Sequence, residues 1–245
     1  MRLIINGSSS TGNQYVLDSG NEILLLEAGI KMADVKKSID FQLPKVVGCL
    51  ATHIHSDHAK YITEYSKFGI NIYGPKDIAD KKQFPYGMYH VLKPEKTVRI
   101  GSFSVVPFHN FHDVEIYGYL IRHEDCGTIL FSSDTYKLPY NIKDIDHWLI
   151  EANYDDRILK ANIEDGRIDR AQANRLMLSH LSLDNTIHYL HMCEAEKSRT
   201  ITLCHLSERN SCPKLFADRV AAEFAVPTQV ASKGVIVELY KNEPI

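Results

Sequence analysis

The chain has 245 residues, 44% hydrophobic, 24% charged and 9% aromatic, which is the composition of an ordinary globular protein of one large or two small domains. Its net charge of −3 excludes a protein-wide basic surface, so any nucleic-acid binding must rest on a local patch. No stretch approaches the roughly 18 apolar residues of a membrane span, and Met1–Gly7 carries too short an apolar run for a secretory signal. The expectation is a cytoplasmic protein with no membrane partner, whose five scattered cysteines are reduced thiols.

The first half is strand-rich. Arg2–Ile5, Gln14–Leu17 and Glu22–Glu27 read as short strands, separated by Gly7–Gly12 and by the turn signal Asp18-Ser19-Gly20-Asn21. Met32–Ile39 is a helix and Val46–Leu50 a buried strand. A helix is expected over about Asp57 to Lys67, then a strand at Ile70–Tyr73 closed by Gly74-Pro75. Strands recur at Thr97–Ile100, Phe103–Phe108, Tyr117–Arg122 and Thr128–Phe131. The second half alternates: strand His147–Glu151, helix Tyr154–Lys160, amphipathic helix Asp184–Glu196, strand Thr200–Cys204, and helix Pro213–Phe224 with proline in its first turn. It ends in strands Thr228–Ala231 and Val235–Tyr240. Two strand-rich halves, each finished by helices, suggest two packed sheets with helices outside, and one domain over residues 1–245. No repeat, linker or exposed apolar stripe points to an assembly, so the oligomeric state stays open.

The chemistry concentrates in Thr52-His53-Ile54-His55-Ser56-Asp57-His58, directly after the strand Val46–Leu50. In an extended strand exit, side chains two apart point the same way, so His53 and His55 can converge on one metal ion. Asp57 and His58, at a helix start, turn back toward a second position nearby. Later segments offer further ligands: His109 or His112 after the strand ending at Phe108, Asp134 after Phe131-Ser132-Ser133, and His180 or His205, each in a His-Leu-Ser step after an apolar run. Cys204 abuts one of these but reads as a core residue. The pattern points to a metal-dependent hydrolase. Residues 60–99 carry eight Lys or Arg against four Asp or Glu, a basic stretch that includes Lys60.

With these residues in order, the chain resembles the metallo-β-lactamase superfamily, and within it the nucleic-acid-processing branch of ribonuclease Z and the small YycJ/VicX-type hydrolases. The resemblance covers nearly the whole chain. It rests on the H-x-H-x-D-H motif, the later strand-end ligands, the loop Gly7-Ser8-Ser9-Ser10-Thr11-Gly12-Asn13, Leu149–Asp155 and His205-Leu206-Ser207-Glu208-Arg209-Asn210. It implies a four-layer αββα sandwich, α/β in class, with two divalent metals (zinc or manganese) at one edge. It puts His53, His55 and His112 on one metal and Asp57, His58 and His205 on the other, with Asp134 bridging. His180 then corresponds to a histidine paired with a glutamate, here Glu151, and His109 is not a ligand.

The chain departs from that pattern in two places. Ala59-Lys60-Tyr61 follows the motif instead of glycine and an apolar residue, and 46 positions from Asp134 to His180 leave no room for a large inserted domain. A tRNA-processing role is therefore not the expectation. The mechanism expected is attack of metal-activated hydroxide on a phosphodiester, with Asp57 orienting the hydroxide or accepting its proton and His180, held by Glu151, protonating the leaving group. Ser207, Asn210, the Ser8–Asn13 loop with Ser9 and Asn13, and Lys60 are the candidates for holding phosphate. The expected substrate is nucleic acid, DNA more than RNA, cut from a 5′ end as the resemblance implies. A small thioester or acyl hydrolase and a non-catalytic accessory protein are the competing readings.

Overall fold

The computed structural model describes residues 1–138 and 141–241, so the last residues of the expected 1–245 domain lie outside the described residues. The chain opens with β1 (Arg2–Gly7), β2 (Gln14–Asp18), β3 (Ile23–Leu26), α1 (Met32–Ser38) and β4 (Val46–Leu50). It continues with α2 (Ser56–Ala59), α3 (Ile62–Lys67), β5 (Ile72–Gly74), α4 (Lys76–Lys81) and β6 (Tyr89–Val91). Then follow β7 (Val98–Ile100), β8 (Phe103–His109), β9 (Tyr117–His123), β10 (Gly127–Ser132), β11 (His147–Glu151), α5 (Asp156–Glu164) and α6 (Arg170–Met177). The chain closes with α7 (Leu183–Met192), β12 (Thr200–Cys204), α8 (Pro213–Phe224), β13 (Thr228–Val230) and β14 (Ile236–Glu238).

These strands form two seven-stranded sheets, in the orders β14-β1-β2-β3-β4-β5-β6 and β13-β12-β11-β10-β9-β8-β7. Both change character midway. Pairing is antiparallel through β1, β2 and β3 and parallel from β3 to β6. In the second sheet it is antiparallel from β7 to β10 and parallel from β10 to β13. The parallel strands end on the same side of each sheet, and their exits deliver the polar residues discussed below.

Every residue of β2 and β3 is buried, because both faces of the sheet are covered and the strands are apolar on both apart from Gln14 and Asp18 at the ends of β2. Tyr15, Leu17 and Leu24 enter the core between the sheets, with Phe103, Tyr119, Phe131 and Leu149 of the second sheet. Tyr15 meets Phe131 edge to face across it, ring centres 5.6 Å apart. Val16 and Leu25 face the opposite way, onto Met32, Val35, Ile62 and Tyr65 of α1 and α3. The second sheet's outer face packs Trp148, Ile150 and Leu203 on Leu183, Leu190, Phe216 and Val220 of α7 and α8. The result is the αββα sandwich that the motif resemblance implied.

The structure differs from the sequence reading locally. The helix expected over Asp57–Lys67 is broken at Lys60-Tyr61 into α2 and α3, because the Tyr61 N–H leaves the helical ladder for the Ala28 carbonyl (2.9 Å). The helix expected to start at Tyr154 begins at Asp156, since the Asp155 side chain caps it by accepting from the Arg157 and Ile158 N–H groups. α4, α6 and β6 were not expected; each is short and shows little apolar periodicity. The final strand is Ile236–Glu238, shorter than expected. The described cysteines are all unpaired as thiols, and Cys204 is fully buried in the inter-sheet core.

Candidate metal centre and active-site cleft

The motif residues leave β4 and are held by two loops of the first sheet. The Asn13 N–H donates to the Asp57 carbonyl (2.7 Å), and the Ala28 N–H donates to the His58 carbonyl (2.7 Å). Gly29 makes this approach possible: a Cβ there would lie 1.8 Å from the Asp57 oxygen. Asp134 lies two residues beyond the end of β10, and His205, whose N–H donates to Ser8 Oγ (2.9 Å), directly follows β12. Glu27, Asp134 and His205 all have positive φ, at 66°, 53° and 54°. A left-handed backbone at three polar strand exits costs energy that the surrounding structure must offset, and such strain gathers at functional sites.

These exits bring the ligand candidates into two adjoining groups. His53, His55, His112 and Asp134 offer atoms within 4.8 Å of one another, and so do Asp57, His58, Asp134 and His205. In the second group His58 Nε2 lies 3.2 Å from Asp57 Oδ2 and 3.3 Å from Asp134 Oδ1, and His205 Nε2 repeats both distances. Ligand atoms about 2.0–2.1 Å from a tetrahedral ion lie about 3.3–3.4 Å apart, so the donors already stand at metal-binding spacing. In the first group His112 Nε2 is 3.2 Å from His55 Nδ1, and His53 Nε2 is 3.8 Å from Asp134 Oδ2. His53 Nε2 and Asp134 Oδ1 are buried with no hydrogen-bond partner. A buried orphan of each kind in one pocket is the imbalance that a shared divalent cation removes. The residues fit the implied metals.

The opposite ring nitrogens are anchored. His53 Nδ1 meets Thr52 Oγ1 (2.9 Å), and His112 Nδ1 reaches the Ser179 carbonyl (3.2 Å). His58 Nδ1 faces the fully buried Glu27 carboxylate at 3.3 Å, and that carboxylate also accepts from the Thr52 N–H (3.3 Å). Asn153 Nδ2 lies 3.2 Å from His205 Nδ1 and donates to the His205 carbonyl (2.7 Å). Anchors of this kind set ring orientation and ligand basicity at metal sites.

The charges respond accordingly. Burial, and then the neighbouring His58, hold His53 well below its ordinary pKa, in the neutral form that ligates metals. Burial would also lower His58, but Asp134 and Glu27 on its two sides raise it well above the ordinary value. Burial would raise Asp134 and Asp57, yet the histidines around both hold them far below the usual carboxylate range. A pocket that concentrates negative charge enough to protonate a buried histidine favours a divalent cation in the proton's place.

Beside the second group, His180 Nδ1 hydrogen-bonds Glu151 Oε1 at 2.6 Å. Glu151 is fully buried and also accepts from the Thr135 and Leu181 N–H groups (3.0 and 3.3 Å). Burial alone would lower His180, but the Glu151 charge and hydrogen bond raise its pKa to about 9. His180, Asp57, Asp134 and His205 line one cavity of about 290 Å³. Ser207 and Asn210 line the cavity that adjoins it.

The remaining candidates do not line these cavities. Asn13 is fully buried, and its Nδ2 donates to Asp57 Oδ2 (3.2 Å), so it orients a ligand candidate. Ser9 bonds Thr11 within its own loop (2.7 Å), while its neighbour Ser10 lines the cavity. Lys60 extends over the Tyr61 ring, 5.5 Å from its centre, and is not among the cavity-lining residues. His109 is exposed and packs against Tyr117 (5.4 Å). Sequence reasoning missed Glu27, Asn153 and Asp113, whose Oδ1 lies 3.4 Å from His55 Nε2 and 3.2 Å from His112 Nε2. Glu27 carried a signal, as the lone charge in the apolar run Ile23–Gly29.

No family model matches the chain. Its sequence is 25% identical over 259 residues to the exodeoxyribonuclease WalJ of Streptococcus pneumoniae, covering 98% of this chain and 93% of that protein. It is 22% identical over 258 residues to the exodeoxyribonuclease YycJ of Bacillus anthracis, covering 97% and 93%. Among solved structures, the metallo-β-lactamase fold protein YhfI from Bacillus subtilis superposes with a TM-score of 0.75 at 17% identity, over 97% of this chain and 99% of that one.

Proposed function

This is a chain of the metallo-β-lactamase fold, similar over nearly its whole length to proteins named exodeoxyribonucleases, and we propose that it is a dinuclear metal-dependent phosphodiester hydrolase acting as a 5′ exonuclease on DNA. One observation carries the reading: two ligand groups share Asp134 and meet the Glu151-held His180 in the same cleft. His53, His55 and His112 would hold one ion and Asp57, His58 and His205 the other, with Asp134 between them. Divalent ions bound there, zinc or manganese, supply Lewis acidity that acidifies water and offsets the charge of phosphate oxygens.

The chain's own groups divide the remaining work. Asp57 stays ionised far below neutral pH, which makes it a better orienter of attacking water than a store for its proton. His180, protonated at neutral pH with its Nδ1 committed to Glu151, presents Nε2 for proton donation to the leaving alkoxide. Ser207 Oγ accepts from the Asn210 N–H (3.3 Å) and from Asn210 Nδ2 (3.2 Å), which leaves its own hydroxyl proton for a phosphate oxygen. Asn210 is nearly buried and therefore positions Ser207.

The test is cleavage of 5′-phosphorylated, end-labelled single-stranded DNA and RNA by protein loaded with Mn²⁺ or Zn²⁺, with Asp57→Ala as the contamination control. Shortening from the 5′ end that vanishes in the variant supports the reading, and the ladder reports sugar preference. Intact DNA and RNA with both metals bound would reject it, and thioester or lactam turnover would then replace it.

A further inference from the structure

The catalytic cavity continues beyond the ligand groups. It reaches Gln172, Arg175 and Leu176 of α6. A second cavity of about 290 Å³ shares Ser10, Leu176, His180 and His205 with the first and runs past Ser207 to Arg209 and Asn210. A third, of about 480 Å³, begins at Arg209 and Asn210 and extends to Asn162, Arg167 and Ile168. Shared walls make these three segments of one trough, which leads from the ligand groups along α6 to the turn after α5.

A guanidinium stands in each segment: Arg175, then Arg209, then Arg167, all exposed. Among the described residues the side chains of Arg175 and Arg209 have neither an ion pair nor a hydrogen bond. Arg167 lies 3.1 Å from the exposed Asp165 carboxylate, a contact that water and salt weaken, and its Nη1 donates a long hydrogen bond to Asn162 Oδ1 (3.4 Å). Asp113 and Glu208 are the acidic groups on the trough apart from the ligand candidates. The Arg209 backbone is fixed. Asn162 Nδ2 donates to the Arg209 carbonyl (2.8 Å) and to Asn210 Oδ1 (2.9 Å), tying this loop to α5. Among the described residues no Phe, Tyr or Trp lines the trough, so away from the histidines of the ligand groups it offers mainly phosphate contacts.

We propose that this trough is a binding track for single-stranded polynucleotide backbone, in which Arg209 and Arg167 hold phosphates remote from the bond being cleaved. The inference rests on the phosphodiesterase reading for the direction of the track. A single strand fits because the ligand groups open into a cavity of only about 290 Å³, too small to admit a base-paired end. Backbone contacts without base contacts make the grip indifferent to sequence.

The probe is a fluorescent, phosphorothioate-linked single-stranded oligonucleotide, titrated with metal-loaded protein and read by anisotropy at low and high salt. Each phosphate contact on a single strand contributes a slope of about 0.7 in log affinity against log salt, so three contacts weaken binding roughly 20-fold between about 50 and about 200 mM salt. Arg167→Ala with Arg209→Ala should weaken binding and reduce that salt effect to about 3-fold. Arg167→Lys with Arg209→Lys keeps both point charges and should restore the slope. An unchanged slope in the alanine pair, or a lysine pair no better than alanine, overturns the track. Wild-type hydrolysis of bis(p-nitrophenyl) phosphate is read separately. Its absence would reject the phosphodiesterase reading while the salt slopes still decided the track.

Discussion

His180 and Glu151 illustrate how much a single contact governs. Replacing His180 with alanine should leave metal content intact and slow phosphodiester cleavage about 10²–10⁴-fold, most of all for poor leaving groups, as removal of a general acid does. Loss of metal in that variant would move His180 into the ligand set. The same pair sets a pH dependence. Its folded pKa of about 9 lies above the ordinary histidine value of about 6.5, so the ion pair's stabilisation is fully present below about pH 6.5 and is lost as pH rises through about 9. Cleavage should fall over that same upper range, and Glu151→Gln should move the alkaline limb of the pH–rate profile to lower pH. A limb that stays in place would separate His180 from proton donation. Glu27→Gln keeps an acceptor for the Thr52 N–H but removes the charge facing His58 Nδ1. Metal affinity, read by chelator competition, should drop about 10–100-fold.

Among secondary elements, α2 depends on one missing Cβ. Gly29→Ala would drive a methyl into the Asp57 carbonyl and the Asn13 N–H, shifting the turn that carries Asp57 and His58. Overpacking of this kind costs about 1–3 kcal/mol, and thermal unfolding together with metal stoichiometry should both show the loss. The elements also show where sequence was legible. Strands β2, β3, β11 and β12 are buried along their whole length around short apolar stretches, and a stretch of that kind announces itself. The histidine motif announces itself equally, since its spacing alone brings His53 and His55 to one side. α6 had no such signal: of Arg170–Met177 only Ala173 is buried, and the helix borders the cleft with polar and charged groups. The anchoring residues Asn153 and Asp113 were hidden for a different reason, because their partners lie far away in the chain or round a turn. The break between α2 and α3 is likewise tertiary, made by the Ala28 carbonyl.

For the whole molecule, the core between the sheets takes side chains from both halves, so the two halves should unfold together in a single transition. Phe131→Ala removes a fully buried ring that meets Tyr15 of the opposite sheet and should destabilise by about 3–5 kcal/mol. Calorimetry with two separate transitions would contradict that shared core. Because the strand exits of both sheets supply the ligand candidates, any loosening between the sheets should reduce metal binding before it unfolds the chain. Among the described residues no helix is long and apolar enough to cross a membrane. The dinuclear site is tested by a metal titration of the stripped protein, with hydrolysis of 5′-phosphorylated single-stranded DNA followed against equivalents of Mn²⁺ bound. With both ligand groups needed, cleavage should climb to a plateau at two ions per chain; a plateau at one ion, or two ions bound without cleavage, would overturn the dinuclear reading.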